Sequence, residues 1–111
     1  MAFSIDSKNN NITLVRGDYL AIVIDMKKND VEYTPTEGTL RFAMKKSFMD
    51  PDRSVLINKE IPLATRLLEL ESSDTKNLKF GTYVYDIEYT DAKGHPDTFI
   101  SAKFTLAEEV I

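Results

Sequence analysis

Apolar and polar side chains alternate along most of this chain, and no other feature constrains the fold as much. A period of two belongs to the β-strand, whose successive side chains point to opposite faces. The clearest case runs from 80 to 90, where Tyr83, Tyr85, Ile87 and Tyr89 share one face. From 98 to 106, Ile100, Ala102, Phe104 and Leu106 line up in the same way. Leu40, Phe42 and Met44 alternate within 39–46, and Leu20, Ile22, Ile24 and Met26 do so earlier. Shorter candidates are Ile12-Thr13-Leu14-Val15, the stretch holding Val55, Ile57 and Ile61 before Pro62, and the pair Leu68 and Leu70. No stretch shows a sustained helical period.

Turn signals separate these runs. Arg16-Gly17-Asp18 breaks the first, and Asp50-Pro51-Asp52-Arg53 follows the third. Residues 27–38 are polar, contain Asn29-Asp30 and Pro35, and read as a loop with a short strand at 31–33. Ser72-Ser73-Asp74-Thr75 has the composition to cap one helical turn, and residues 91–96 close a hairpin. About seven strands punctuated by turns predict an all-β fold, a sandwich of antiparallel strands forming one domain over 1–111. Its core should hold Leu20, Ile22, Ile24, Leu40, Phe42, Met44, Ile57, Leu68, Leu70, Tyr83, Tyr85, Ile87, Ile100 and Phe104.

Composition excludes several kinds of chemistry. The 111 residues carry 14 basic and 18 acidic side chains, a net charge of 14 − 18 = −4. A mildly acidic domain lacks the basic face that nucleic acid or an anionic membrane surface requires. There is no Cys and one His, His95, in a turn, so the ligands of an ordinary zinc site are missing. No phosphate-binding, nucleotide-binding or hydrolase motif is present. No cofactor is therefore expected, and no catalytic, cofactor-binding or metal-ligating residue is assigned. The first residues lack the basic and apolar regions of a signal peptide, so the chain is expected to be kept in a cytoplasm or released from one by lysis.

The most specific local pattern is Gly81-Thr82-Tyr83-Val84-Tyr85 after the acidic turn at Asp74. Immunoglobulin-like sandwiches place a tyrosine there whose hydroxyl bonds back to the backbone, followed two residues on by a core cysteine. Tyr83 fits the corner, and Tyr85 stands in the cysteine position. Arg16-Gly17-Asp18 also spells an adhesive tripeptide, but its glycine suits a plain bend between strands. The loop acids Asp30, Asp50 and Asp52 lack the spacing of a calcium loop. Tyr19, Tyr33, Phe48 and Phe99 fall off the inward alternation and form the candidate contact surface.

In order and spacing, Thr13-Leu14-Val15-Arg16-Gly17-Asp18, Leu68-Glu69-Leu70, Asp74-Thr75, Gly81 to Ile87, Gly94, Thr98 and Lys103-Phe104-Thr105-Leu106 form a pattern over about residues 11–110. It resembles the tail- and baseplate-associated immunoglobulin-like domains of phages and prophages of Gram-positive bacteria. That family includes the N-terminal domain of the lactococcal phage upper baseplate protein. The resemblance implies a non-enzymatic virion protein working through contacts with other tail proteins or with itself, as a homo-oligomer. With the sequence ending at Ile111, it implies an assembly or adaptor part rather than a receptor-binding one. Two alternatives remain at this point. One is a carbohydrate-binding module using exposed aromatics, and the other a hydrolase with a convergent carboxylate pair.

Overall fold

The computed structural model describes residues 3–6 and 8–108, and of Asp52 the backbone alone. Met1, Ala2 and residues 109–111, the ends of the expected 1–111 domain, lie outside the described residues. The chain is all-β. Its strands are β1 (Phe3–Ile5), β2 (Ile12–Val15), β3 (Leu20–Val23), β4 (Lys27–Lys28), β5 (Val31–Glu32) and β6 (Thr39–Lys45), then β7 (Ile57–Ile61), β8 (Leu67–Leu70), β9 (Gly81–Thr90) and β10 (Pro96–Ala107). A helical turn, α1 (Ser72–Thr75), joins β8 to β9.

Six strands form one sheet, ordered β1-β2-β10-β9-β6-β7 and curled into a half-barrel. β3 and β8 pair antiparallel as a second sheet, and β4 with β5 makes a small hairpin. The expectation of about seven antiparallel strands needs two corrections. β1 and β4 add strands of three and two residues, too short for an alternation to show, while β5 is the short strand expected at 31–33. β2 also runs parallel to β10, from Phe104↔Ile12 to Ala107↔Val15. Alternation fixes which face a residue takes, but neither the partner strand nor its direction.

The two larger sheets share one core. Leu20, Leu68 and Leu70 of the small sheet pack in the same cluster as Leu40, Phe42, Met44, Tyr85, Ile87 and Phe104 of the large one. Phe42, Tyr85 and Phe104 meet ring to ring with centroids 5.4 to 6.1 Å apart. This aromatic trio fills the region around Tyr85, the position read as a replaced cysteine. Two expected core residues are only half-buried. Ile100 follows an irregularity in the β9–β10 register between Thr98 and Ile100, which turns the strand. Ile22 lies beside an open cleft described below.

Local chemistry sets the connections. Asn29 and Asp30 both have positive φ, 53° and 63°, the conformation of a two-residue turn matched to strand twist, and they join β4 to β5. The Tyr83 hydroxyl donates to the Lys79 carbonyl at 2.6 Å, the backbone bond expected at this corner. Asp74 accepts the Glu71 N–H at 2.7 Å and pairs with Lys59 of β7 at 3.0 Å, anchoring α1 at its start. Thr75 is fully buried, and its Oγ1 accepts the Gly17 N–H at 2.9 Å. The bend between β2 and β3 is thereby pinned to the crossover between β8 and β9.

Candidate functional site

The four aromatic candidates fall in different places. Tyr33, just beyond β5, is half-buried against the core. It stacks on Phe99 at 6.0 Å and meets Tyr89 edge-on at 5.8 Å. The Lys28 ammonium lies 4.4 Å from the Tyr33 centroid and pairs with Asp97 at 3.1 Å, a contact that raises the ammonium's proton affinity. The Tyr89 hydroxyl donates to the Glu37 carbonyl, and burial first, then neighbouring Tyr33, pushes its pKa up. Phe99 owes its place in this stack to the β10 irregularity, which turns it toward Tyr33.

Tyr19 and Phe48 make no ring contact with that cluster among the described residues. Tyr19 is 48% exposed, and its hydroxyl donates to the Glu69 carboxylate, which raises the phenol's pKa. Phe48 lies on the connection between β6 and β7, which also carries exposed Met49 and Leu56. The four residues thus split into a half-buried pair and two separate exposed rings.

The other sequence features are occupied by turn chemistry. Arg16 donates to the Leu78 carbonyl at 3.1 Å and lies 4.0 Å over the Phe80 ring, while the Asp18 N–H closes a turn onto Val15. His95 is exposed in the β9–β10 hairpin loop, 3.4 Å from Asp91. Asp91 accepts the His95 and Lys93 N–H groups, and these bonds, His95's first, hold its carboxyl below the usual range. Asp30 occupies the β4–β5 turn; the Asp52 side chain lies outside the described residues. Among the described residues, no group of three or more His, Asp or Glu is placed to hold a metal ion.

Two surface features were not anticipated from the alternation. One is a cleft of about 390 Å³ whose apolar wall is Ile5 of β1, Ile22 and Val23 of β3, Ile24, and Phe99 and Ile100 of β10, with Asn10, Asp25 and Lys27 lining its polar side. Among the described residues, β1 ends the large sheet and β3 pairs with β8 alone, so each strand has an unpaired edge, and both contribute residues to the cleft. Val23 is 64% exposed and Ile5 41%.

The other is a groove of about 270 Å³ on the outward face of β6, β7 and β9. Arg41, Asn58 and Asp86 line it, with Phe48, Val55 and Val84 supplying apolar wall. Oδ1 of Asp86 is buried without a hydrogen-bond partner. Glu88 lies two residues along the same face, which puts the two Cα atoms roughly 7 Å apart. In sequence Asp86 and Glu88 read as ordinary outward polar positions of an alternating strand, so no signal pointed to this groove.

The chain matches no family model, no curated protein and no solved structure.

Proposed function

We propose that this chain is a non-enzymatic contact module of the phage or prophage tail type, built as an immunoglobulin-like sandwich and acting through protein–protein docking at strand edges. The fold reading draws support from two sheets sharing one core and from the Tyr83–Lys79 corner bond at the start of β9. The docking reading rests on one observation: the open edges of β1 and β3 flank a cleft with an apolar wall and a polar side, while Val23 and Ile5 stay exposed. A bare edge offers unpaired N–H and C=O groups, and soluble proteins usually shield such edges with charge or proline. Here β3 reads Leu20-Ala21-Ile22-Val23, with neither. An extended segment of a partner would add a strand and place alternate side chains in the cleft.

The acids of the outer groove bear on one enzymatic alternative, a glycoside hydrolase with a convergent carboxylate pair. A glycoside hydrolase needs one carboxyl held protonated by an enclosing apolar site. Glu88 is exposed, and the groove lies on a sheet face.

Sedimentation of the wild type and of the Val23→Lys/Ile5→Lys double variant, alone and with purified tail proteins, tests the docking. The expected result is association that the double variant loses while keeping its melting temperature. A strict monomer that binds no tail protein overturns the proposal. Gene neighbourhood gives a second check: a place among tail genes supports it, and one in a polysaccharide-utilisation cluster contradicts it.

A further inference from the structure

The hairpin of β4 and β5 belongs to neither of the larger sheets. Among the described residues, neither strand pairs with a third, and all four of their residues are exposed. A two-stranded hairpin is marginally stable at best by itself. Its place therefore depends on what fastens it from outside.

Three contacts do so. Lys28 pairs with Asp97 of β10 at 3.1 Å. Glu32 accepts from the guanidinium of Arg66, the residue before β8, at 3.3 and 3.4 Å. The two ion pairs thus tie the hairpin to both larger sheets at once. Just beyond β5, Tyr33 stacks on Phe99 and meets Tyr89 edge-on, with the Lys28 ammonium over its ring. The Lys28, Asp97 and Glu32 side chains are 46% to 60% exposed, so water and salt screen both pairs and neither is strong. The ends of the segment are fixed more firmly. Met26 is fully buried, and the Glu37 carbonyl accepts the Tyr89 hydroxyl. Residues 27–36 form a strap with anchored ends and weak fastenings.

The strap borders the cleft lined by β1 and β3. Lys27, 3.5 Å from Asp25, lines the polar side, and Phe99, on which Tyr33 stacks, lines the apolar wall. We propose that the β4–β5 hairpin opens separately from the rest of the fold, and that its closed position completes the cleft. Opening carries Lys27 away and leaves Phe99 without its stacking partner, so an occupant of the cleft favours the closed strap. The proposal deepens the docking reading and rests on it for the occupant; the opening is a property of the chain alone.

Native-state amide hydrogen exchange of the full chain, with no partner present, tests the opening. The Tyr33 N–H donates to the Met26 carbonyl at 2.9 Å and reports whether the hairpin is formed. It should be protected, but about a hundredfold less than the Ile87 amide of β9, which lies mid-sheet between β10 and β6. Low urea should speed Ile87 and leave Tyr33 unchanged, because a local opening exposes little surface. The Asp97→Asn/Glu32→Gln double variant should speed Tyr33 exchange about twofold to twentyfold. A tail protein that binds in sedimentation, at a free concentration ten times its Kd, should slow Tyr33 exchange about tenfold. Tyr33 protected as well as Ile87 with the same urea dependence, or not protected at all, overturns the proposal. So does a double variant that exchanges like wild type, or a bound tail protein that leaves Tyr33 as fast as before. The free-chain results separate a failure of the strap from a failure of the docking.

Discussion

At the scale of single residues, backbone geometry and buried hydroxyls set the tolerances. Gly38 has φ of +105°, and a Cβ there would run into the Thr90 carbonyl oxygen and the Tyr89 hydroxyl. Strain and clash add, so Gly38→Ala should cost about 2–4 kcal/mol in a urea melt. Thr75→Val keeps the volume but removes the acceptor for the Gly17 N–H, for an expected loss of about 1–3 kcal/mol. Tyr85 donates to the Asn10 carbonyl at 2.6 Å, and burial pushes its pKa from 10.0 to about 12. Between those values the unfolded chain loses the phenol proton while the folded chain keeps it. Stability should therefore be intact below pH 10 and fall as pH rises toward about 12. Tyr85→Phe should flatten that alkaline step in thermal melts across the same range. The corner role of Tyr83 was legible because its spacing from Gly81 is local. The Asp86 groove was not, because its walls come from three strands far apart in sequence.

At the scale of elements, long strands were legible and short or irregular ones were not. β9 shows four inward residues in strict alternation, and its bounds fall within a residue of the reading. The run Leu20, Ile22, Ile24 and Met26 reads as one strand, but β3 stops at Val23. Its partner β8 begins only at Leu67, because Arg66 takes a left-handed φ of 54°. The Ile24 N–H still reaches the Arg66 carbonyl at 2.8 Å, and Ile24 and Met26 remain buried beyond the regular pairing. In β10 the register shift half-exposes Ile100 and tucks Phe99 against Tyr33, so periodicity placed both residues imperfectly. Where alternation held, the packing is tight. Phe104 lies fully buried against Phe42 and Tyr85, and Phe104→Ala should cost about 3–5 kcal/mol of unfolding free energy, a large share of an ordinary domain's stability.

At the scale of the molecule, an all-β fold and one shared core followed from the pattern of side chains, while strand order did not. Hydrophobic alternation says which residues face inward, and it does so for β2 as for any strand. It is silent on the parallel pairing of β2 with β10, made across a separation of about ninety residues. The same silence covers the edges, since an unpaired strand looks like a paired one in sequence. Yet the edges of β1 and β3, beside a cleft of mixed lining, are what the contact reading depends on. Amide hydrogen exchange across β3, for the protein alone and with a purified tail protein at saturation, probes them directly. The account predicts outward β3 amides that exchange rapidly in the free protein and become protected in the complex. Amides already protected in the isolated chain, or equally fast with and without every tail protein tried, would contradict it.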